Sequence, residues 1–123
     1  AVELATAEAE ALDASLEHLQ TEFEGELLER IHAARTDGTD AIVLNPGAWS
    51  HYSYAIRDAL AMVELPKVEV HLTNLSTREP FRHTSVMTPA CDGTIYGFGI
   101  DGYALGVRAA LTLHRRRASA AGS

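Results

Sequence analysis

Apolar positions along the chain alternate between two spacings, and the alternation lays out the fold. Residues 1–11 form an acidic, alanine-rich stretch that reads as a helix with no capping residue before its first turn. Ser15 to Gln20 predicts a short strand, with Leu16 and either Glu17 or His18 on opposite faces. Thr21 followed by Glu24 makes a capping-box pattern, and Leu27, Leu28, Ile31 and Ala34 mark the apolar face of a second helix that Gly38 can end. Ala41 to Leu44 is a continuous apolar run of strand length, as expected where both sheet faces are covered. Asn45 to Trp49 is its loop, and Ser50 is the expected cap of a helix reaching Ala61 or Met62. After Pro66, Val68 to Asn74 reads as a buried strand whose last residues turn polar. A loop from Leu75 to Arg82 leads to a last strand, Thr94 to Gly99, and a last helix from Tyr103 to about His114, carrying Leu105, Val107, Ala110 and Leu111. Four strands interleaved with helices predict an α/β sandwich with a parallel sheet.

Composition narrows this further. A chain of 123 residues with 46% hydrophobic content makes one domain and leaves no room for a second. The formal charge of -7 argues against a nucleic-acid partner. The one basic cluster, Arg115 to Arg117, is followed by alanine and serine, so residues 115–123 are expected to be a solvated tail. A single cysteine, Cys91, excludes an intrachain disulfide and fits a reducing compartment. No apolar run approaches the roughly 20 residues of a membrane helix, and no signal peptide is visible; a cytoplasmic protein without a membrane partner is expected. The uncapped start without an initiator Met suggests a segment upstream.

Several motifs point to chemistry that their surroundings do not support. Gly97 to Gly102 matches G-x-G-x-x-G after a strand and before a helix, yet no further strand with an acid follows it, so close helix-strand packing is the favoured reading over dinucleotide binding. Glu69, His71 and His51 are conceivable metal ligands, but no close-spaced ligand pair or Cys pair accompanies them. Neither a metal nor a cofactor is therefore expected. His18, His32 and His114 fall on surfaces, and Cys91 lies in a turn beside Asp92 and Gly93, with no histidine nearby in sequence to activate it.

What remains is a convergence of polar residues at strand ends, where ligands bind in open parallel sheets. Glu69 and His71 are two residues apart on one strand and so share a face. A carboxylate beside an imidazole suits a general acid, although the pair can equally be read as an ordinary polar end to a strand. Asn45, Trp49, Ser50 and His51 follow the preceding strand, and Arg82 lies in the loop beyond the next. This inventory suits a small polyhydroxylated carboxylate better than a phosphate, because no glycine-rich cradle with a lysine accompanies it.

Three stretches in order, Leu44 to Ser53, Val68 to Asn74 and Arg78 to Ser85, resemble the successive motifs of type II 3-dehydroquinate dehydratase. Gln20, Glu24 to Leu27 and Gly99 to Tyr103 add to the likeness. The resemblance implies a flavodoxin-like three-layer sandwich that dehydrates 3-dehydroquinate to 3-dehydroshikimate through an enolate, without metal or cofactor. It implies a catalytic set of His71, Glu69 and Asn45, with His71 the proton donor and Glu69 orienting it. Asn45, His51 and Arg82 would bind the ring hydroxyls, Leu72 and Thr73 the carboxylate, and Asp58 would reach a neighbouring subunit's site in a dodecamer built from trimers.

Thr73 stands where serine is more usual and keeps the hydroxyl, while Tyr52, Thr21, Glu22 and Thr84 also depart from commoner members. The family's first strand, and the lid with an arginine and the tyrosine base, match nothing here, so a longer natural protein is expected. Tyr52, Tyr54, Tyr96 and Tyr103 lie in other segments. The reading from another class is a non-catalytic flavodoxin-like module that binds small carboxylates or serves in assembly.

Overall fold

The computed structural model describes residues 1–121. Three strands, β1 (Ile42–Leu44), β2 (Lys67–His71) and β3 (Gly93–Tyr96), form a parallel sheet in that order, with Leu44 beside Glu69 and Glu69 beside Thr94. Helices α1 (Val2–Ala11) and α4 (Asp101–Ala121) cover one face, and α2 (Glu24–Ala33) and α3 (Tyr54–Ala61) the other.

Strand alternation divides the core. Val43, Val68, Val70 and Ile95 point toward α4, whereas Leu44 points toward the cluster of Ile31, Ile56, Leu60, Val63 and Met87. Glu69 occupies the same row as Leu44 and is fully buried. At the other end of β2, the buried Lys67 donates from Nζ to the carbonyls of Leu60 (2.8 Å) and Val63 (2.5 Å). Those are C-terminal carbonyls of α3 and its exit, groups that a helix leaves unpaired and that favour a cation.

Several expectations need correction. Residues 15–20 form no strand, and the sheet has three strands where four were expected. The segment joins no ladder; Leu16 packs on the cluster of Ala5, Ala9 and Val107, and Arg30 of α2 bonds to Glu17 at 2.8 Å. The capping box is also rearranged. Phe23 is the cap residue of α2 and makes no side-chain capping bond, while Thr21 accepts from the Phe23 amide (3.0 Å) and donates to Glu26 (3.1 Å). Ser53, not Ser50, caps α3 by accepting from the Ile56 amide at 3.2 Å. The residues between fold into a 3₁₀ turn, Gly47–His51, in which the buried Ser50 hydroxyl donates to the Gly47 carbonyl.

The expected tail is helical as far as Ala121, because α4 lies against the rest of the molecule through its arginines. Arg115 donates to the Leu12 carbonyl and Arg117 to Asp92. Residues 122 and 123 of that expected tail lie outside the described residues. Gly102, in the G-x-G-x-x-G stretch, packs against β2: a Cβ there would lie 3.1 Å from Val70. The glycine thus serves helix-strand contact, as its surroundings in the sequence suggested.

Candidate active site

Because the strands are parallel, the residues after Leu44, His71 and Tyr96 emerge at one rim. His71 Nε2 lies 2.5 Å from Glu69 Oε2, and both side chains are buried. Glu69 receives three further bonds: Ser85 donates to Oε2 at 2.6 Å, and Thr88 and Thr94 donate to Oε1 at 2.7 and 3.2 Å. Burial works to raise the pKa of this carboxyl, but hydrogen bonds from His71, Ser85 and Thr88, with the charge of His71, outweigh it and hold the pKa below the usual value. An ionised carboxylate at this position fixes the imidazole and can stabilise its charged form.

The other expected residues fall into distinct groups. Asn45, directly after β1, donates from Nδ2 to the Tyr103 hydroxyl at 2.9 Å and accepts from the Gly47 amide at 3.0 Å. His51 donates from Nδ1 to the Thr84 carbonyl at 2.8 Å, which sets the proton on that nitrogen. Phe81 joins it to Arg82: the His51 ring meets Phe81 edge-on at 6.0 Å, and the Arg82 guanidinium lies 4.6 Å from the Phe81 centroid. Arg82 also donates to Glu79 at 2.6 Å. Leu72 accepts from the Gly99 amide (2.8 Å), and Thr73 accepts from Arg78 (3.2 Å).

Asp58 is not brought to this rim. It lies on α3 with an exposed side chain, 3.5 Å from Arg57. Cys91 is also set apart chemically, since burial and the charge of Glu69 push its thiol pKa up to about 12, far from a thiolate nucleophile at neutral pH. Among the described residues, no group of three or more His, Cys, Asp and Glu side chains is gathered to hold a metal.

Sequence reading assigned no role to Ser85, Thr88, Thr94 or Tyr103. Only Thr94 had a usable signal, because pairing of β2 with β3 in this register puts it beside Glu69. Ser85 and Thr88 reach the carboxylate through an irregular segment whose path no periodicity reports.

A parallel-sheet, flavodoxin-like domain with a buried imidazole-carboxylate pair at its strand ends is the class that fold and site define. Residues 2–111 match the model of the class II dehydroquinase family, and the chain belongs to that family. It is similar to the 3-dehydroquinate dehydratase of Leptothrix cholodnii, with 54% identity over 102 residues, 83% of this chain and 68% of that protein. The catabolic 3-dehydroquinase of Botryotinia fuckeliana is 57% identical over 84 residues, 68% of this chain and 54% of that protein. The crystal structure of type II dehydroquinase from Butyrivibrio crossotus superposes with a TM-score of 0.84 at 44% identity, covering 87% of this chain and 74% of that one. The chain spans 68% and 66% of the Leptothrix protein and its Lachnoclostridium phytofermentans counterpart, about two thirds of each.

Proposed function

We propose that the protein is a 3-dehydroquinate dehydratase that eliminates water to give 3-dehydroshikimate, with His71 as the general acid toward the departing hydroxyl. The observation that carries this reading is the His71–Glu69 contact of 2.5 Å, buried at the rim of a fold of this family. Loss of the proton beside the ketone forms an enolate, and expulsion of the hydroxyl is then assisted by a proton from His71. Glu69 orients the ring. Asn45, His51 and Arg82 meet the ring hydroxyls, and Leu72 and Thr73 hold the carboxylate. The base is the lid tyrosine that the family resemblance implies. No step calls for a metal or cofactor.

Asp58 fits the same reading as a residue that reaches a neighbouring subunit, since its side chain is exposed on α3 and away from its own rim. The assembly proposed is a dodecamer of trimers, and light scattering on the purified protein checks it. A cytoplasmic setting completes the reading. No described helix is long and apolar enough to cross a membrane.

Ultraviolet absorbance after adding 3-dehydroquinate tests the function, because the conjugated product absorbs where the substrate does not. A rising signal that survives a chelator supports the dehydratase. No signal from the folded, assembled full-length protein would transfer the assignment to a non-catalytic carboxylate-binding module.

A further inference from the structure

Glu69 is held by more than its contact with His71. Its side chain is 0% exposed, and each oxygen receives two bonds, His71 and Ser85 on Oε2, Thr88 and Thr94 on Oε1. The three hydroxyls come from two places: Thr94 is the cross-strand partner of Glu69 on β3, and Ser85 and Thr88 lie in the segment between β2 and β3. Ser85 is itself fixed, accepting from the Met87 amide at 3.1 Å, and Met87 is buried in the core. The same three residues wall a cavity of about 210 Å³ beside Glu69, so a carboxylate freed from them would have room to turn away from the imidazole.

We infer that Ser85, Thr88 and Thr94 are positioning residues for the acid: they fix the rotamer and charge of Glu69, and through it the direction of the His71 ring. The inference deepens the dehydratase reading and rests on it for the catalytic consequence. Ser85 supports the oxygen that touches His71, while Thr88 and Thr94 prevent rotation by occupying the other oxygen. A fourfold-bonded carboxylate stays ionised despite burial, consistent with the direction of its titration. Threonine to valine preserves shape and removes only the donor, so the role is separable from packing.

The test compares the parent with Thr88→Val, Thr94→Val and the double variant, by two readouts. Carbon-13 NMR of the Glu69 carboxyl in ligand-free protein needs no activity. Its titration midpoint is expected to move upward in the valine variants and to return in Thr88→Ser and Thr94→Ser. Steady-state rates with 3-dehydroquinate are expected to show kcat lower by about tenfold in the double variant, with KM within about twofold and the acid limb of the pH profile moved upward. A folded double variant whose carboxyl midpoint and kcat profile superimpose on the parent overturns the inference. If the double variant fails to fold, Thr94→Val alone, lacking only the longest of the four bonds, decides on the same criteria. A carboxyl midpoint that moves in the valine variants, when the parent itself shows no dehydratase activity, would instead sink the proposed function and leave the hydrogen-bond assignment standing.

Discussion

The Asn45 side-chain amide donates to the Tyr103 hydroxyl at 2.9 Å, joining the loop after β1 to the first turn of α4 across 58 residues of sequence. With its oxygen already accepting from the Gly47 amide, Asn45 is held at both ends and presents one fixed face to the rim. Tyr103→Phe removes one of the two anchors and leaves His71 untouched. KM for 3-dehydroquinate is expected to rise by about two- to tenfold, with kcat changed less, as fits loss of roughly 0.5–1.5 kcal/mol of positioning. An unchanged KM would show that Gly47 alone suffices to hold the amide.

His71→Ala tests the acid directly. General acid catalysis contributes about 100- to 10,000-fold, and kcat is expected to fall by that order while light scattering gives the same oligomeric state as for the parent. A variant at parental rates would remove His71 from the mechanism and shift attention to the other rim groups.

The parts of the fold legible in the sequence were those set by local patterning. The Ala41–Leu44 run, the polar end of β2 and the apolar face of α2 all lie where periodicity placed them, within a few residues. The failures share a cause, which is dependence on distant partners. Residues 15–20 have strand-like alternation but no ladder to join. Ser50 resembles a cap in sequence, yet a 3₁₀ turn consumes its segment and gives the role to Ser53. The basic end of α4 looked like a tail because nothing local reveals that Arg117 meets Asp92. At the site, Glu69 and His71 were readable from the period of a strand, whereas two of the hydroxyls that hold Glu69 arrive through an irregular segment.

The lowered pKa of Glu69 also predicts how stability responds to acid. The unfolded carboxyl titrates near about 4.3 and the folded one lower, so its ionised form stabilises the fold fully above that value. The contribution is lost as pH falls through the folded pKa. Urea midpoints between neutral and acid pH should therefore fall less steeply for Glu69→Gln than for the parent, although the variant starts lower because its amide cannot accept four bonds. Parallel curves would assign the acid sensitivity to other carboxylates, of which Asp92, bonded to Arg117 and the Lys67 amide, is the leading one.

The packing of α4 on the sheet supplies the last test. A Cβ on Gly106 would lie 2.8 Å from Val70 Cγ2 and 2.9 Å from Val43 Cγ1, closer than side chains approach one another. Val70 is completely buried and precedes His71 on β2, so relief by moving the strand would also move the site. Gly106→Ala gains up to about 1 kcal/mol of helix propensity but incurs about 1–3 kcal/mol of overpacking, and a lower urea midpoint with reduced kcat is expected. Gly25 offers the contrast, because it lies in α2 with nothing within 4 Å of a Cβ. Gly25→Ala should raise the midpoint by the propensity gain alone and leave turnover unchanged. If both substitutions stabilised the protein equally, α4 would have freedom to lift from the sheet, and close packing beneath the site could not be what holds the β2 end in place.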